Sequence, residues 1–368
     1  MKRRHFQRFR PVCPICQRRG EDVPLELRTV VREAAGGDRA DLEPDSAILE
    51  GILTCADPAC MAEYPIIDGI PIIVADVRGF VSRNASALLA RSDLSDTLES
   101  LVGDCCGPQS DFDVRRQHLG SYAYDHYGDL DPEEKREGPA PPGSILRLLK
   151  AGLDLAENHP GGPMLDLGCA VGRAGFALAE ATDDLVLGVD LNLDMLRTAS
   201  RVLQEGIVQY PRRRVGMVYD RREFPVSFSG AARVDFWACD AGAIPAASRA
   251  FGTLVSLNLL DCMNHPLDHL REIARILAPG GRAILSTPYD WSPNATPVEG
   301  WIGGHSQRSV FRGAAEPLLR HLLSQEEFRG PHGLQIVSET SVPWSVRVHD
   351  RAAMTYQSHL MIMRKGAG

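Results

Sequence analysis

The spacing of hydrophobic positions changes character along this chain. Between residues 11 and 76 they fall in short runs, ILTC and YPIIDGIPIIV, rich in β-branched residues and broken by turn formers. Such runs predict strands. From 82 to 131 the apolar residues of LLARSDLSDTLESLV recur at intervals of three and four, the period of one helix face. GPAPPG at 138–143 then interrupts the pattern as a stiff, extended linker. Beyond it PMLDLG, LVLGVD, RVDFWACD, GTLVSLNLL and GRAILSTP read as buried strands, with FALAEAT, LDMLRTASRVLQ and LDHLREIARILA as helices between them. This alternation predicts a parallel sheet with helices on both faces. PRRRVGMVYDRREFPVSFSG breaks the rhythm and predicts an excursion or small hairpin.

A length of 368 residues suits two domains, one of them small. With 44% apolar and 24% charged residues, the composition is that of a soluble globular protein. No run approaches the roughly 18–20 apolar residues of a membrane helix. MKRRHFQRFRP is basic without a following apolar stretch, so no secretory signal is expected and the arm itself should be solvated. A net charge of −8 argues against a broad nucleic-acid footprint. Nine cysteines without an export signal favour thiols or metal ligands over disulfides, and the cytoplasm as compartment.

LDLGCAVGRAGFALA carries the strongest chemical signal. A buried strand runs through Asp166 into Gly168-Cys169-Ala170-Val171-Gly172 and then directly into a helix. Glycines let a ligand approach the backbone, and the first-turn N–H groups of the helix are left unpaired. The next strand ends at Asp190, followed by Leu191, where a carboxylate can accept from both hydroxyls of a ribose. The third ends in CDAGAIP, so Asp240 can meet an adenine amino group and Ala241 can offer its N–H. The spacing is G-x-x-x-G rather than the G-x-G-x-x-G of dinucleotide folds.

These residues resemble class I S-adenosylmethionine-dependent methyltransferases over roughly residues 145–365. The resemblance implies an α/β, Rossmann-like sheet of seven strands with helices on both faces, the last strand antiparallel and formed by AMTYQSHLMIMR. It places S-adenosyl-L-methionine against Asp166, Gly168, Cys169, Ala170 and Gly172, its ribose at Asp190 and Leu191, and its adenine at Asp240 and Ala241, with Asn258 on the fourth strand end.

CPIC (Cys13, Cys16) and CADPAC (Cys55, Cys60) form two clamps, and four thiolates give zinc a closed tetrahedral shell. With YPIIDGIPIIV they resemble the zinc ribbons of small activators of tRNA and release-factor methyltransferases. A structural Zn2+ is therefore expected, in a β-rich ribbon whose loss of metal would leave cofactor binding untouched. The expected division is a ribbon at 1–80, a helical connector and linker at 81–143, and a methyltransferase domain at 144–368. Cys105 and Cys106 read as separate buried thiols, and Cys169, Cys239 and Cys262 as small thiols on or beside core strands.

TPYDWSPNATPVEGWIGGH, residues 287–305, leaves the fifth strand with an unusual load of rings. Tyr289, Asp290, Trp291, Trp301 and His305 are expected to wall the space beside the cofactor's methyl group; the plainer alternative is that the tryptophans close the core under a long loop. Together with HYG at 126–128 and NLLDCMNHP, this loop resembles the methyltransferase domains of ovothiol-biosynthesis enzymes, which N-methylate a thiol-bearing imidazole. That resemblance implies a small-molecule acceptor positioned by Tyr127, Asn258, Tyr289, Asp290 and His305. The ribbon suggests RNA as the alternative acceptor, against which stand the acidic balance and NLLD in place of an N-P-P-Y run. A non-enzymatic adaptor would have no use for the cofactor features.

Overall fold

A computed structural model describes residues 1–34, 46–89, 94–134, 140–157, 161–325 and 333–366. Residues 138–139 of the expected linker and 90–93 of the expected helical run lie outside the described residues. The strands are β1 (Leu25–Ala34), β2 (Ala47–Cys55), β3 (Glu63–Ile67), β4 (Ile70–Ile73), β5 (Met164–Leu167), β6 (Val186–Asp190), β7 (Ile207–Val215), β8 (Val218–Pro225), β9 (Val234–Cys239), β10 (Phe251–Leu257), β11 (Leu277–Thr287), β12 (Leu334–His349) and β13 (Ala352–Lys365). No described helix is long and apolar enough to cross a membrane.

Seven strands, in the order β9-β6-β5-β10-β11-β13-β12, form the doubly wound sheet expected from the sequence. β9, β6, β5, β10 and β11 run parallel, and β13 returns antiparallel against β11. Every residue of β5, β9 and β10 is buried, because helices cover both faces and leave no solvated side for polar alternation. Ser144–Ala156, Arg173–Glu180 and Leu193–Glu205 pack on one face; Pro266–Ile276 and Ala315–Leu323 pack on the other. The excursion is the antiparallel hairpin β7–β8. It braces helix Asp111–Tyr127, with Tyr219 donating to Asp113 (2.9 Å) and Arg213 to Gln117 (3.0 Å). Gly120 makes this contact close, since a Cβ there would overlap the Pro211 carbonyl.

The amino-terminal strands do not stand apart. β4 runs parallel to β9, pairing Ile72 with Ala238 and Ile73 with Cys239, so β1–β4 extend the sheet to eleven strands. The basic arm, expected to be solvated, is also docked. Its helix Arg3–Phe9 buries His5 and Phe9, which lie four apart on one face. The Phe9 ring lies 5.2 Å from Phe251 and 5.9 Å from Trp237. His5 Nε2 sits 2.9 Å from the Arg233 carbonyl, and burial pushes this imidazole down to about 4. Three cysteines also depart from expectation: Cys105, Cys106 and Cys262 are exposed.

Because Phe9 fills a slot between β9 and β10, Phe9→Ala should destabilise the whole chain, not only its front. The expected loss is about 3–5 kcal/mol, measured by urea unfolding. A loss confined to a separate, early front transition would contradict this packing.

Candidate active site

The carboxyl end of β5 opens into the glycine loop. Gly168 and Gly172 have φ of 74° and 89°, and Ala170 between them has φ of 48°. Only glycine fits at 172, where a Cβ would lie 2.6 Å from Phe236 and 2.9 Å from Ala199. The loop is tied to β6 by Asp190, whose Oδ2 accepts from Ala170 N at 2.9 Å and whose Oδ1 accepts from Asn192 N at 2.8 Å. Asp166 and Cys169 lie beneath, each only 2% exposed. The Asp166 Oδ2 has no partner among the described residues. Burial, and then the neighbouring Asp190, push the Asp166 carboxyl up to about 7.

The turn after β9 is held from behind. Asp240 Oδ1 accepts from Gly242 N at 2.8 Å, and the Ala241 carbonyl accepts from His269 Nδ1 at 3.0 Å. His269 Nε2 then receives the Ser256 hydroxyl at 2.9 Å, and burial keeps the ring neutral by lowering it to about 4. From the same helix, Glu272 accepts from Ile244 N (2.6 Å) and Arg275 donates to the Ala246 and Ile244 carbonyls (2.7 and 2.8 Å). The front segment reaches this turn too. Val12 N donates to Pro245 O at 3.1 Å, and the Gln17 amide lies 3.3 Å from the Ile244 and Ala246 carbonyls. Leu191 beside Asp190 is 43% exposed, an apolar surface open to a flat ligand.

The ends of β10 and β11 repeat the strained geometry of the glycine loop. Asn258 and Tyr289 have φ of 53° and 57°; with Ala170, three non-glycine residues are left-handed around the strand ends, at roughly 1–3 kcal/mol each. Asn258 Oδ1 accepts from the Ser286 hydroxyl at 2.9 Å, while its Nδ2 is buried without a partner among the described residues. Asp261 accepts from Thr287 Oγ1 (3.2 Å) and from Asp290 N (2.8 Å). An open cleft of about 440 Å³ lies here, lined by Tyr122, His126, Ala170, Asn258, Trp344 and their neighbours.

Several expected residues sit elsewhere. Tyr127 is fully buried and donates to Val171 O at 2.7 Å, so it supports the glycine loop from below. No side chain of 287–305 lines this cleft. Trp291 and Trp301 stack on each other, 6.3 Å apart, and Trp301 donates to Thr296 O (2.8 Å), which is the plainer core-closing role. Tyr289 meets His359 Nδ1 at 2.7 Å, in a relay that continues to Glu339 and Arg320. His305 is exposed, and Asp290 is exposed beside the Tyr356 phenol, which burial and Asp290 push up to about 12. The sequence reading missed Tyr122, His126, Trp344 and Tyr356. Tyr122 and His126 lie four apart in SYAYDHYG, so that spacing on a helix was the available signal. Trp344 and Tyr356 are cross-strand partners whose rings stack at 5.3 Å, a pairing only the hairpin register reveals.

The four amino-terminal cysteines converge as expected. Cys13 and Cys60 sulfurs lie 3.8 Å apart, Cys16 and Cys55 sulfurs 3.7 Å, and all four lie within 4.8 Å of one another. These are far from the ~2.05 Å of a disulfide. A tetrahedron with Zn–S of ~2.3 Å has an edge of ~3.8 Å, so donor type and spacing fit zinc. Tyr64 OH, 3.1 Å from Cys13 Sγ, adds a hydrogen bond to the group.

Residues 165–285 match the family model of a methyltransferase domain, a span that begins in β5 and ends in β11. The chain thus carries an S-adenosylmethionine-dependent methyltransferase domain. Methyltransferase GfsG of Streptomyces halstedii is 28% identical over 191 residues, covering 48% of this chain and 59% of that protein. The chain therefore spans less than two thirds of that relative. Among solved structures, the [4+2]-cyclase SpnF is 18% identical, over 69% of this chain and 97% of its own, with a TM-score of 0.41. Phosphoethanolamine N-methyltransferase 2 of Haemonchus contortus, in complex with S-adenosyl-L-methionine, is 21% identical over 48% of this chain and 35% of its own, with a TM-score of 0.34.

Asp166 makes stability depend on pH. The folded chain keeps its proton up to about pH 7, whereas an unfolded aspartate ionises near pH 3.9. Between these values the folded state binds more protons, so stability falls as pH rises, by at most about 1.4 kcal/mol per unit. Asp166→Asn should flatten that decline in denaturant unfolding measured from pH 4 to 7. An unchanged slope would show that Asp166 is ionised in the fold.

Proposed function

We propose that this chain transfers a methyl group from S-adenosyl-L-methionine to a ring nitrogen of a small, thiol-bearing imidazole such as a mercaptohistidine. The cofactor half rests on the glycine loop tied to Asp190, the Asp240–Ala241 turn and the exposed Leu191. For the acceptor half, the observation that carries most weight is the composition of the cleft. Aromatic and neutral polar side chains line it, with Asp125 and without lysine or arginine, which suits a small flat acceptor and not a polyanion.

The cofactor supplies an electrophilic methyl group on a sulfonium. The chain has to align a neutral nitrogen with it and exclude water. An imidazole, with an ordinary pKa of about 6.5, is mostly neutral at pH 7, so a hydrogen-bonding partner that fixes the tautomer suffices. Asp290 and the protonated Tyr356 beside it are suited to that task, with Asn258 at the cleft and His305 as a further candidate. Tyr127 and Tyr289 act as positioning residues, one under the glycine loop and one anchored on His359. The division into ribbon (1–80), connector (81–143) and methyltransferase domain (144–368) belongs to this reading, as does a cytoplasmic location for a chain with free thiols.

The same reading gives the ribbon one structural zinc on Cys13, Cys16, Cys55 and Cys60, a full shell with no position open for chemistry. Its support is the sulfur spacing. Independence of the metal from the cofactor, expected from separate domains, does not suit the contacts of Val12 and Gln17 with the 244–246 turn.

Chelation should accordingly weaken S-adenosylhomocysteine binding in calorimetry, and elemental analysis should find one zinc per chain. Absence of zinc after growth in zinc-replete medium, or unaltered affinity after its removal, would count against this role. For the acceptor, labelled cofactor should methylate thiolated histidines in preference to histidine and bulk RNA. Efficient labelling of RNA with thiolated histidines untouched would establish the alternative acceptor instead.

A further inference from the structure

The cleft beside the glycine loop has polar groups of one dominant kind. Ser121, Tyr122 and His126 approach it from helix Asp111–Tyr127, opposite Gly168, Ala170 and Asn258. Asn258 gives its Oδ1 to Ser286, which leaves Nδ2 as a buried donor without a partner among the described residues. His126 accepts the Arg173 N–H at Nδ1 (3.4 Å), so the proton of the neutral ring sits on Nε2, the nitrogen left for a ligand. Burial and then the Arg173 guanidinium push this imidazole down to about 3. The carboxylate in the lining, Asp125, is occupied: its oxygens accept from Ser144 N and Ile145 N at 2.7 and 3.0 Å. Arg173 also opens helix Arg173–Glu180, so the adjoining potential is positive. Unpaired donors in a positive field call for an acceptor-only ligand, and a carboxylate is one.

On the cofactor reading above, we propose that His126 Nε2–H and Asn258 Nδ2–H bind the carboxylate of the cofactor's amino-acid tail. His126 thereby selects S-adenosylmethionine over nucleosides that lack the tail. An acceptor carboxylate has the same chemistry, but the cleft includes Gly168 and Ala170, the backbone next to which the sulfonium end of the cofactor would lie.

The test titrates S-adenosylhomocysteine and 5′-methylthioadenosine, which lacks the amino-acid tail, into the full chain by calorimetry. His126→Phe keeps a flat ring in a buried slot. Asn258→Asp keeps the shape and a residue type that tolerates left-handed backbone, while replacing the donor with a second acceptor. Each variant should weaken S-adenosylhomocysteine by about tenfold or more and leave methylthioadenosine nearly unchanged. Equal weakening of both ligands would reduce these residues to structural ones and overturn the proposal, as would unchanged S-adenosylhomocysteine affinity. An intact affinity with a raised KM for a carboxylate-bearing acceptor would assign the cleft to the acceptor and equally overturn it. If the wild-type chain binds neither nucleoside, the cofactor reading itself fails and this proposal with it.

Discussion

One carboxylate joins the two halves of the strand-end site. Asp190 accepts Ala170 N through one oxygen and Asn192 N through the other, so the glycine loop and the start of helix Leu193–Glu205 take their positions from the same group. A charge held this far from water must be compensated, and here backbone N–H groups do it. The second acid beneath the loop cannot also ionise cheaply, and Asp166 is pushed toward its protonated form. Left-handed Ala170 and the Cβ-free slot at Gly172 follow, because the loop has to bend back onto Asp190 while Phe236 fills the space below. A ligand that brings hydroxyls to Asp190 would meet the lone pairs its two backbone bonds leave over.

The frame behind the site is wider than the methyltransferase sheet. Helix Pro266–Ile276 pins the turn after β9 with three side chains spaced by three, His269, Glu272 and Arg275. The front segment adds Val12 and Gln17 to the same turn and pairs β4 with β9. A metal clamp at Cys13 and Cys16 thus lies next to residues that shape the adenine side. The ribbon is better understood as a buttress for that turn than as an appendage.

The local chemistry was readable from the chain because it is written in contiguous residues. LDLGCAVGR, the acid ending LVLGVD, CDAGAIP and the two cysteine clamps each bring their own backbone geometry, and the strand–helix alternation fixed the sheet. Contacts between distant segments were not readable. IPII could pair with any exposed edge, and only the folded chain shows that it chooses β9. The basic arm looked solvated because its charges outnumber the two residues, His5 and Phe9, that dock it. Aromatic composition could not separate a wall from a plug, so Trp291 and Trp301 were ambiguous until their mutual stacking was seen. HYG drew attention to Tyr127, yet neighbouring positions on a helix point about 100° apart; it is His126 that lines the cleft and Tyr127 that supports the loop.

The central claim is that four strand-end segments, held from behind, make one cofactor site. Hydrogen exchange on the full chain with and without S-adenosylhomocysteine tests it most directly. The account expects added protection at the glycine loop (168–172), after β6 (190–192), at the turn after β9 (240–243) and at Asn258, all four together. Protection confined to other regions, or no change at a saturating concentration, would contradict it.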